Sequence, residues 1–455
     1  MQKILQHRSG DHRVLCGTVA LSVTLFTCLI FLTDQAANAA DEWTSFQNGG
    51  EINFDEQELG FSAEWSVATS GYGQSSPLVW KDQVYITSVS GPNKEQCLVT
   101  AFDIATGKEL WQYETTNATP QENNNYISKA APSPVVDERG IICFFEGGNL
   151  FSLSHSGEIQ WQRNLVEEYG PIDARHGLSA SLEQRSESAF VWVERQTDPY
   201  VLAINKKTGE NLWKVPGLGV TSWASPRVIP VKGGEHLVLS GIGKLAGFDL
   251  QSGERLWDFD DISGNSTPTP MPVGEGTFLI GATVGRGESE SGRAADSNGL
   301  ISVQQSDAGV WSAAYVWHSK RATSSFSSPF CSGDYCYFTN RTGVLYCLDK
   351  MTGEEQYAKR VGGSLWATPI VLSQKILLPL KDGKLTTVAS GPKFKLFETA
   401  ELFSDEPSEE PAEKAEDGPP GGGNTLYAAV LTGQRVIARS GDRLFSVKIQ
   451  KGVSQ

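Results

Sequence analysis

Ten residues of this chain share a sequence setting suited to ligand binding: Tyr72, Gln74, Tyr126, Lys129, Arg175, His176, Trp223, Asn265, Arg321 and Trp366. They lie just upstream of strands that begin, in most copies, with a small residue, a Ser or Thr and a Pro. The phrase reads S-S-P-L-V at 75–79, P-S-P-V-V at 132–136, A-S-P-R-V at 224–228, S-S-P-F at 327–330 and A-T-P-I-V at 367–371. Four of the ten are basic (Lys129, Arg175, His176, Arg321) in a chain whose formal net charge is −15. If equivalent points of different units converge, these groups and the aromatics around them would bind an anion or an acidic peptide in a concave site that focuses their field. The alternative is that they pair with Asp and Glu of neighbouring loops, each pair contributing roughly 0–1 kcal/mol.

Little else in the chain has the spacing that catalysis requires. There is no G-x-S-x-G elbow, no H-E-x-x-H, no G-x-x-x-x-G-K-[ST] and no D-x-D-x-D-G calcium loop. Six His in all leave little for a multi-His metal site. The acidic balance and the lack of a basic stripe make nucleic acid an unlikely partner. Past the first forty residues the cysteines are Cys97, Cys143, Cys331, Cys336 and Cys347. Cys331 and Cys336 flank S-G-D-Y across an expected hairpin and could pair, or all five could be buried strand residues.

The elements that would position the ten residues come from a repeat. A-F-D-I-A-T-G-K-E-L-W at 101–111 recurs as L-A-I-N-K-K-T-G-E-N-L-W at 202–213 and G-F-D-L-Q-S-G-E-R-L-W at 247–257, with weaker copies ending at Trp161 and Tyr357. A strand, a tight turn whose Gly supplies positive φ, and the start of another strand account for the phrase. With the Pro-initiated strand and the hairpin between, each unit has about four antiparallel strands, the blade of a β-propeller. The closing aromatics fall at Trp111, Trp161, Trp213, Trp257, Trp317 (or Trp311), Tyr357 and Phe397, spaced 40 to 60 residues apart. They are expected as packing between blades. The last unit, 426–449, is one strand short, and F-S-A-E-W-S-V at 61–67 supplies it, with Trp65 placed 46 residues before Trp111. The expected fold is therefore all-β, an eight-bladed propeller of four-stranded antiparallel blades closed by the N-terminal strand, with seven blades as the fallback.

Residues 1–40 carry basic residues, an apolar stretch from Val14 to Leu32 and Ala37-Asn38-Ala39, the layout of a secretory signal, with an uncleaved anchor as the alternative. Residues 41–60 are a lead-in and 61–455 a single propeller domain. Two insertions, 285–299 and the acidic, Pro- and Gly-rich 404–424, are expected to be flexible.

The D-x-x-T-G-x-x-L-W phrase with its upstream S-P strand resembles the pyrroloquinoline-quinone-type repeat of the quinoprotein alcohol dehydrogenase-like superfamily, over most of residues 61–449. That superfamily contains quinone-dependent dehydrogenases and also a non-enzymatic propeller lipoprotein of outer-membrane barrel assembly. The resemblance implies, for an enzyme, a quinone held between a Trp and a disulfide of adjacent cysteines, with calcium and a catalytic Asp. This chain has no adjacent Cys-Cys pair. Fold alone does not choose among the members. The expectation is an exported, periplasmic or envelope binding and scaffold protein without catalysis or cofactor, taking an envelope protein, a peptide or a small anionic ligand at the channel mouth. The alternatives are an oxidoreductase using pyrroloquinoline quinone and calcium, and an outer-membrane protein assembly factor.

Overall fold

The computed structural model describes residues 42–47, 59–122, 127–174, 176–283, 294, 296–319, 321–403 and 425–451. The expected signal segment 1–40, the insertion 404–424, Tyr126 and Arg175 lie outside the described residues, as does most of the insertion 285–299.

The strands form eight four-stranded antiparallel sheets, and each of the first seven is a simple meander. They are blade 1 (78–116), blade 2 (135–164), blade 3 (183–216), blade 4 (227–259), blade 5 (271–318), blade 6 (330–360) and blade 7 (370–401). Blade 8 combines three C-terminal strands, Ala428–Thr432, Arg435–Ser440 and Arg443–Lys451, with Leu59–Ala68 as its outermost strand. Leu59–Ala68 pairs antiparallel along Arg443–Lys451, from Leu59 opposite Lys451 to Ala68 opposite Arg443. The ring thus closes with eight blades, and the closing strand leaves blade 8 no shorter than the others.

The repeated phrase does three things at once. Its Asp or Asn caps the turn, as where Asp103 Oδ1 accepts from the backbone N–H of Thr106 at 2.8 Å. A β-bulge follows immediately. Ala101 faces Trp111 and Phe102 faces Glu109, so Leu110 is left unpaired and pushed outward. The same slip occurs before Trp161, Trp213, Trp257, Trp317 and Tyr357. A bulge re-aims the next side chain, and here it turns the ring toward the neighbouring blade.

The third part is the docking of that ring. The indole N–H of Trp65 donates to the Ile104 carbonyl at 3.1 Å, Trp111 to His155 at 2.8 Å, Trp161 to Lys206 at 2.9 Å, Trp213 to Leu250 at 3.0 Å and Trp317 to Lys350 at 2.8 Å. Each acceptor lies in the turn of the next blade, whose glycine lies against the ring. At Gly209, φ is +73° and a Cβ would come within 2.6 Å of the Trp161 indole. The glycine is therefore required by both backbone conformation and contact. Trp317, rather than Trp311, takes the docking position. The Trp257 ring stacks forward on Phe278 of blade 5, with centroids 6.4 Å apart, but its N–H goes to His236 Nδ1 in its own blade at 3.1 Å. Phe397 has no partner turn because the outer two strands of blade 8 come from opposite ends of the chain; Lys375 and Lys395 cover its ring instead.

The expected flexible insertion 285–299 is built into the fold at its end. Asn298 is fully buried, accepting from Ala282 N at 2.8 Å and Ser324 N at 3.0 Å and so joining blade 5 to the loop before blade 6. Burial of Asn298 with its hydrogen bonds met holds this end of the segment to the fold. Cys331 and Cys336 are directly opposed on the two inner strands of blade 6 and their sulfurs are bonded. Cys97, Cys143 and Cys347 are buried thiols.

Candidate functional site

In a meander, the loops that carry the chain from the outer strand of one blade to the inner strand of the next lie on one face of the ring. The turns between second and third strands share that face. The eight candidates among the described residues sit in these entry loops. The Ser or Thr before each Pro, with Ser181 before Leu182 in blade 3, explains how the loops are held. The backbone N–H of Ser76 donates to Ser133 Oγ, Ser133 to Ser181, Ser181 to Ser225, Ser225 to Thr269 Oγ1, Thr269 to Ser328 and Ser328 to Thr368, at 2.8 to 3.3 Å. A belt of hydroxyls thus links blades 1 to 7 around the channel. Further out, Gln74 N donates to the Lys129 carbonyl at 3.0 Å, Lys129 N to Gln74 Oε1 at 2.9 Å, and Ser128 N to the His176 carbonyl at 3.0 Å. Trp223 N continues the series to Ser266 O at 2.7 Å.

The mouth carries an arc of aromatic rings over consecutive blades. Phe326 stacks on Trp366 with centroids 4.4 Å apart, Trp366 meets Tyr427 at 5.9 Å, and Tyr427 meets Tyr72 at 6.2 Å. The Tyr72 and Tyr427 hydroxyls are 2.8 Å apart, and burial chiefly holds the Tyr72 phenol well above its ordinary range. Cations close the arc. Lys129 Nζ lies 5.7 Å from the Tyr72 ring centroid and Lys381 Nζ 5.2 Å from that of Trp366. Burial, together with the charge of Lys94, lowers the Lys129 ammonium from its usual value. The loop bearing Lys129 is fixed from beneath by Glu146, whose Oε1 accepts from Ala130 N at 3.1 Å and pairs with buried Lys94 at 3.4 Å. Below Tyr72, fully buried Arg439 donates to Ser75 Oγ at 2.6 Å and Ser88 Oγ at 2.9 Å across the seam between blades 8 and 1. With no carboxylate bonded to it among the described residues, burial pulls its guanidinium down to about 9.

The candidates therefore separate into groups. Tyr72, Gln74, Lys129 and Trp366 share the arc. Trp223 lines a second cleft of about 320 Å³ between the loops of blades 3 and 4, and His176 lies against it with ring centroids 5.9 Å apart. The buried carboxylate of Glu194 organises that cleft, accepting from Trp192 Nε1 and from the N–H groups of Leu218, Gly219 and Val220 at 2.8 to 3.1 Å. Asn265 is fully buried, its amide spent on Gly243, Ser240 and Lys244 within the fold. Arg321 does not join the mouth: its exposed guanidinium forms a two-bond ion pair with Glu355 on the outer strand of blade 6. The four-cation cluster is therefore not assembled as expected, because the blade 5 to 6 loop directs this arginine outward to an acid.

Sequence reasoning missed the occupant of the channel. Residues 42–47 lie along the inner strands. Trp43 exchanges two backbone bonds with Val79 of blade 1 at 2.9 Å, and the Thr44 carbonyl accepts from Val136 N of blade 2 at 2.9 Å and from Gln184 Nε2 of blade 3 at 3.1 Å. Arg227 of blade 4 donates to the Phe46 and Gln47 carbonyls, each at 3.1 Å. Gln47 Nε2 donates to Ser328 of blade 6 at 3.0 Å and to Thr368 of blade 7. Six blades hold this segment. Beside it, toward blades 5 to 8, is a cavity of about 340 Å³ that opens past Phe326 and Trp366. Phe326 and Tyr427 were also missed. The signal was present in blade 8, where Tyr427 stands at the place of the usual small residue and Ala428 and Ala429 replace the Ser or Thr and the Pro.

The family model described as "Outer membrane protein assembly factor BamB" matches residues 62–174, 180–266 and 297–454. A curated relative, outer membrane protein assembly factor BamB of Burkholderia pseudomallei (strain K96243), is 22% identical over 219 residues, 47% of this chain and 52% of that one. The match thus spans about half the length of the relative. Among solved structures, BamB from Moraxella catarrhalis superimposes with a TM-score of 0.58 at 13% identity, covering 87% of this chain and all of that one. A quinohemoprotein alcohol dehydrogenase from Pseudomonas putida HK5 gives 0.57 at 10% identity, covering 91% and 82%. At these identities the superpositions speak for the fold alone.

Proposed function

The chain belongs to the family described as outer membrane protein assembly factor BamB, and from that premise we propose that it is a non-catalytic scaffold of the cell envelope that holds a segment of an outer-membrane assembly protein at the mouth of its channel. The observation that carries the reading is the arc Phe326–Trp366–Tyr427–Tyr72, bounded by Lys381 and Lys129. Aromatic rings with an apolar face and a polar edge anchor protein interfaces. Flanking ammonium groups favour an extended segment bearing carboxylates.

The donor set supports a cofactor-free reading over a quinone enzyme. Among the described residues no three His, Cys, Asp or Glu side chains gather to hold a metal. Among the described residues no acidic side chain lines the cavity, and the chain has no adjacent cysteine pair. These residues do not fit calcium, a quinone and a catalytic Asp.

The test is site-specific photocrosslinking in cells, with the crosslinker at Phe326 in one strain and at Arg321, outside the arc, in another. The expected result is an adduct with an outer-membrane assembly protein from position 326 and none from position 321. Equal adducts from both positions, or adducts only with proteins unrelated to the outer membrane, refute the proposal.

A further inference from the structure

One seam of the ring is closed by a group that can take up a proton. The indoles of Trp65, Trp111, Trp161, Trp213 and Trp317 donate to backbone carbonyls of the next blade, which do not titrate. Trp257 donates instead to His236 Nδ1 at 3.1 Å. The sequence explains the change. The residue opposite the closing aromatic is Ala101, Ser152, Ala203 or Cys347 in other blades and Gly247 here. A Cβ at Gly247 would come within 2.1 Å of the Trp257 indole, so the glycine lets the ring lie back on its own sheet. In the turn of blade 5, no indole lies against Gly309. The nearest group outside its chain neighbours is Gln305 Nε2, 4.0 Å from where a Cβ would stand.

An indole N–H only donates, so His236 Nδ1 must accept. The imidazole that holds this seam is therefore the neutral one, with its proton on Nε2. His236 and Trp257 are each 4% exposed, so water cannot replace a lost partner. Protonation would set two donors facing each other in a buried place. The same ring meets Trp311 of blade 5 at 80°, with centroids 4.5 Å apart, and the Trp257 ring stacks on Phe278 of blade 5. The bond thus joins two of the rings through which blade 4 touches blade 5. Few charges lie around it. Ile229 is opposite His236 on the inner strand and Asp249 on the third. On the outer strand Arg255 and Asp258 pair with each other, and Glu235, beside His236, pairs with Arg185 of blade 3. Asp249 is the one charge that acts on the ring among the described residues. Burial, opposed by Asp249, holds the imidazole below its ordinary 6.5, which suits an acceptor.

We propose that His236 is a pH-operated latch on the seam between blades 4 and 5, closed while its imidazole is neutral and released when Nδ1 takes a proton. In the open seam the ring regains its ordinary value of 6.5. The closed form therefore keeps its full advantage above pH 6.5 and loses it as pH falls from there to the lower value of the closed state. A group of pKa 6.5 that stays neutral when closed raises the open population by up to about thirtyfold between pH 7.5 and pH 5. Seams whose indoles donate to carbonyls have no such response.

The test follows the indole N–H groups of the full chain by hydrogen exchange read by NMR, each rate divided by that of free tryptophan at the same pH. Protection at Trp257 should fall about ten- to thirtyfold from pH 7.5 to pH 5, while Trp65 and Trp161 keep theirs within about twofold. His236→Gln keeps a side-chain acceptor that does not titrate, and its Trp257 should stay protected at both pH values. Should His236→Gln not fold, Trp257→Phe is the second variant. It keeps a ring against Phe278 and removes the donor, so the titration midpoint of His236, read from its Cε1 proton, should rise toward 6.5 from its value in the unaltered chain. Trp257 protection that holds to pH 5, an equal fall at Trp65 and Trp161, a fall that persists in folded His236→Gln, or an unmoved His236 midpoint in Trp257→Phe overturns the proposal.

Discussion

Replacing Arg227 by Met should release the channel segment while leaving the blades folded. Arg227 is the one described cation that donates to the segment backbone, through two bonds of 3.1 Å to the Phe46 and Gln47 carbonyls. Hydrogen bonds from charged donors contribute about 1.5–3 kcal/mol each. Losing both, with the methionine stem still filling space, should lower the free energy of unlatching by about 3 kcal/mol, or about a hundredfold in the open population. The readout is hydrogen exchange at Trp43 N and Val79 N, whose mutual bonds close the segment on blade 1; both should exchange about a hundredfold faster, while Ile86 in the core of blade 1 keeps its rate. Arg227 also faces buried Glu183 at 3.4 Å, so Glu183→Gln serves as the control that removes the ion pair and keeps the carbonyl bonds. Its segment should stay latched. Unchanged exchange at Trp43 in Arg227→Met, or equal release in Glu183→Gln, would show that the guanidinium–carbonyl bonds do not hold the segment.

Three further outcomes are expected. Gly209→Ala and Gly219→Ala place the same methyl at nearly the same positive φ, +73° and +72°, but only the first meets an indole, and nothing lies within 4 Å of the second. Both should lose about 1–2 kcal/mol of backbone energy, and Gly209→Ala a further 1–3 kcal/mol from overpacking at Trp161, measured by urea denaturation; equal losses would mean that ring docking contributes nothing. Glu194→Gln puts an amide NH₂ where backbone N–H groups now donate and should cost about 2 kcal/mol, with faster exchange at Leu218 to Val220 as the local signature. Burial, the largest influence, raises the carboxyls of Glu146, Glu183 and Glu194 above 4.5. The folded state therefore binds these protons more tightly than the unfolded chain. The three penalties are absent below pH 4.5, grow as pH rises toward the folded values and are then constant; Glu194→Gln should flatten its share of that decline.

The fold was readable because the strand–turn–Trp phrase encodes a contact between neighbours, and such a contact, repeated, implies a ring. The eighth blade followed from counting strands at the two ends. The degenerate unit after Trp257 was also real: the Trp257 N–H turns to His236 while its ring stays on Phe278, and Phe259 and Tyr315 add a further contact between blades 4 and 5. The site was less readable. The position before the inner strand fixed which face Tyr72, Lys129 and Trp366 occupy, since that depends on connectivity alone. It could not say which way a long side chain points once there. Arg321 turned outward to Glu355, and Asn265 went into the core. The Ser and Thr of the S-P phrase were noticed for their proline, and their hydroxyl belt appears only when seven units are viewed in a circle. The segment 42–47 carries no repeat and no strand alternation, so nothing local announced that it would be held by six blades.

Ring closure also dictates an order of events. The Ser446 hydroxyl donates to Glu64 across 382 residues of sequence, and Leu59–Ala68 has no other sheet to join. A loop that long costs little more at equilibrium than a short one, since closure entropy grows only with the logarithm of length. Contacts of such sequence separation nevertheless form slowly. Blades 1 to 7 are local meanders and can fold as each is completed, but the outermost strand of blade 8 must wait for Arg443–Lys451. Until then both strands present unpaired edges. The last step of folding is therefore the joining of the chain's two ends, and strand Leu59–Ala68 supplied in trans as a peptide should capture a chain that lacks it.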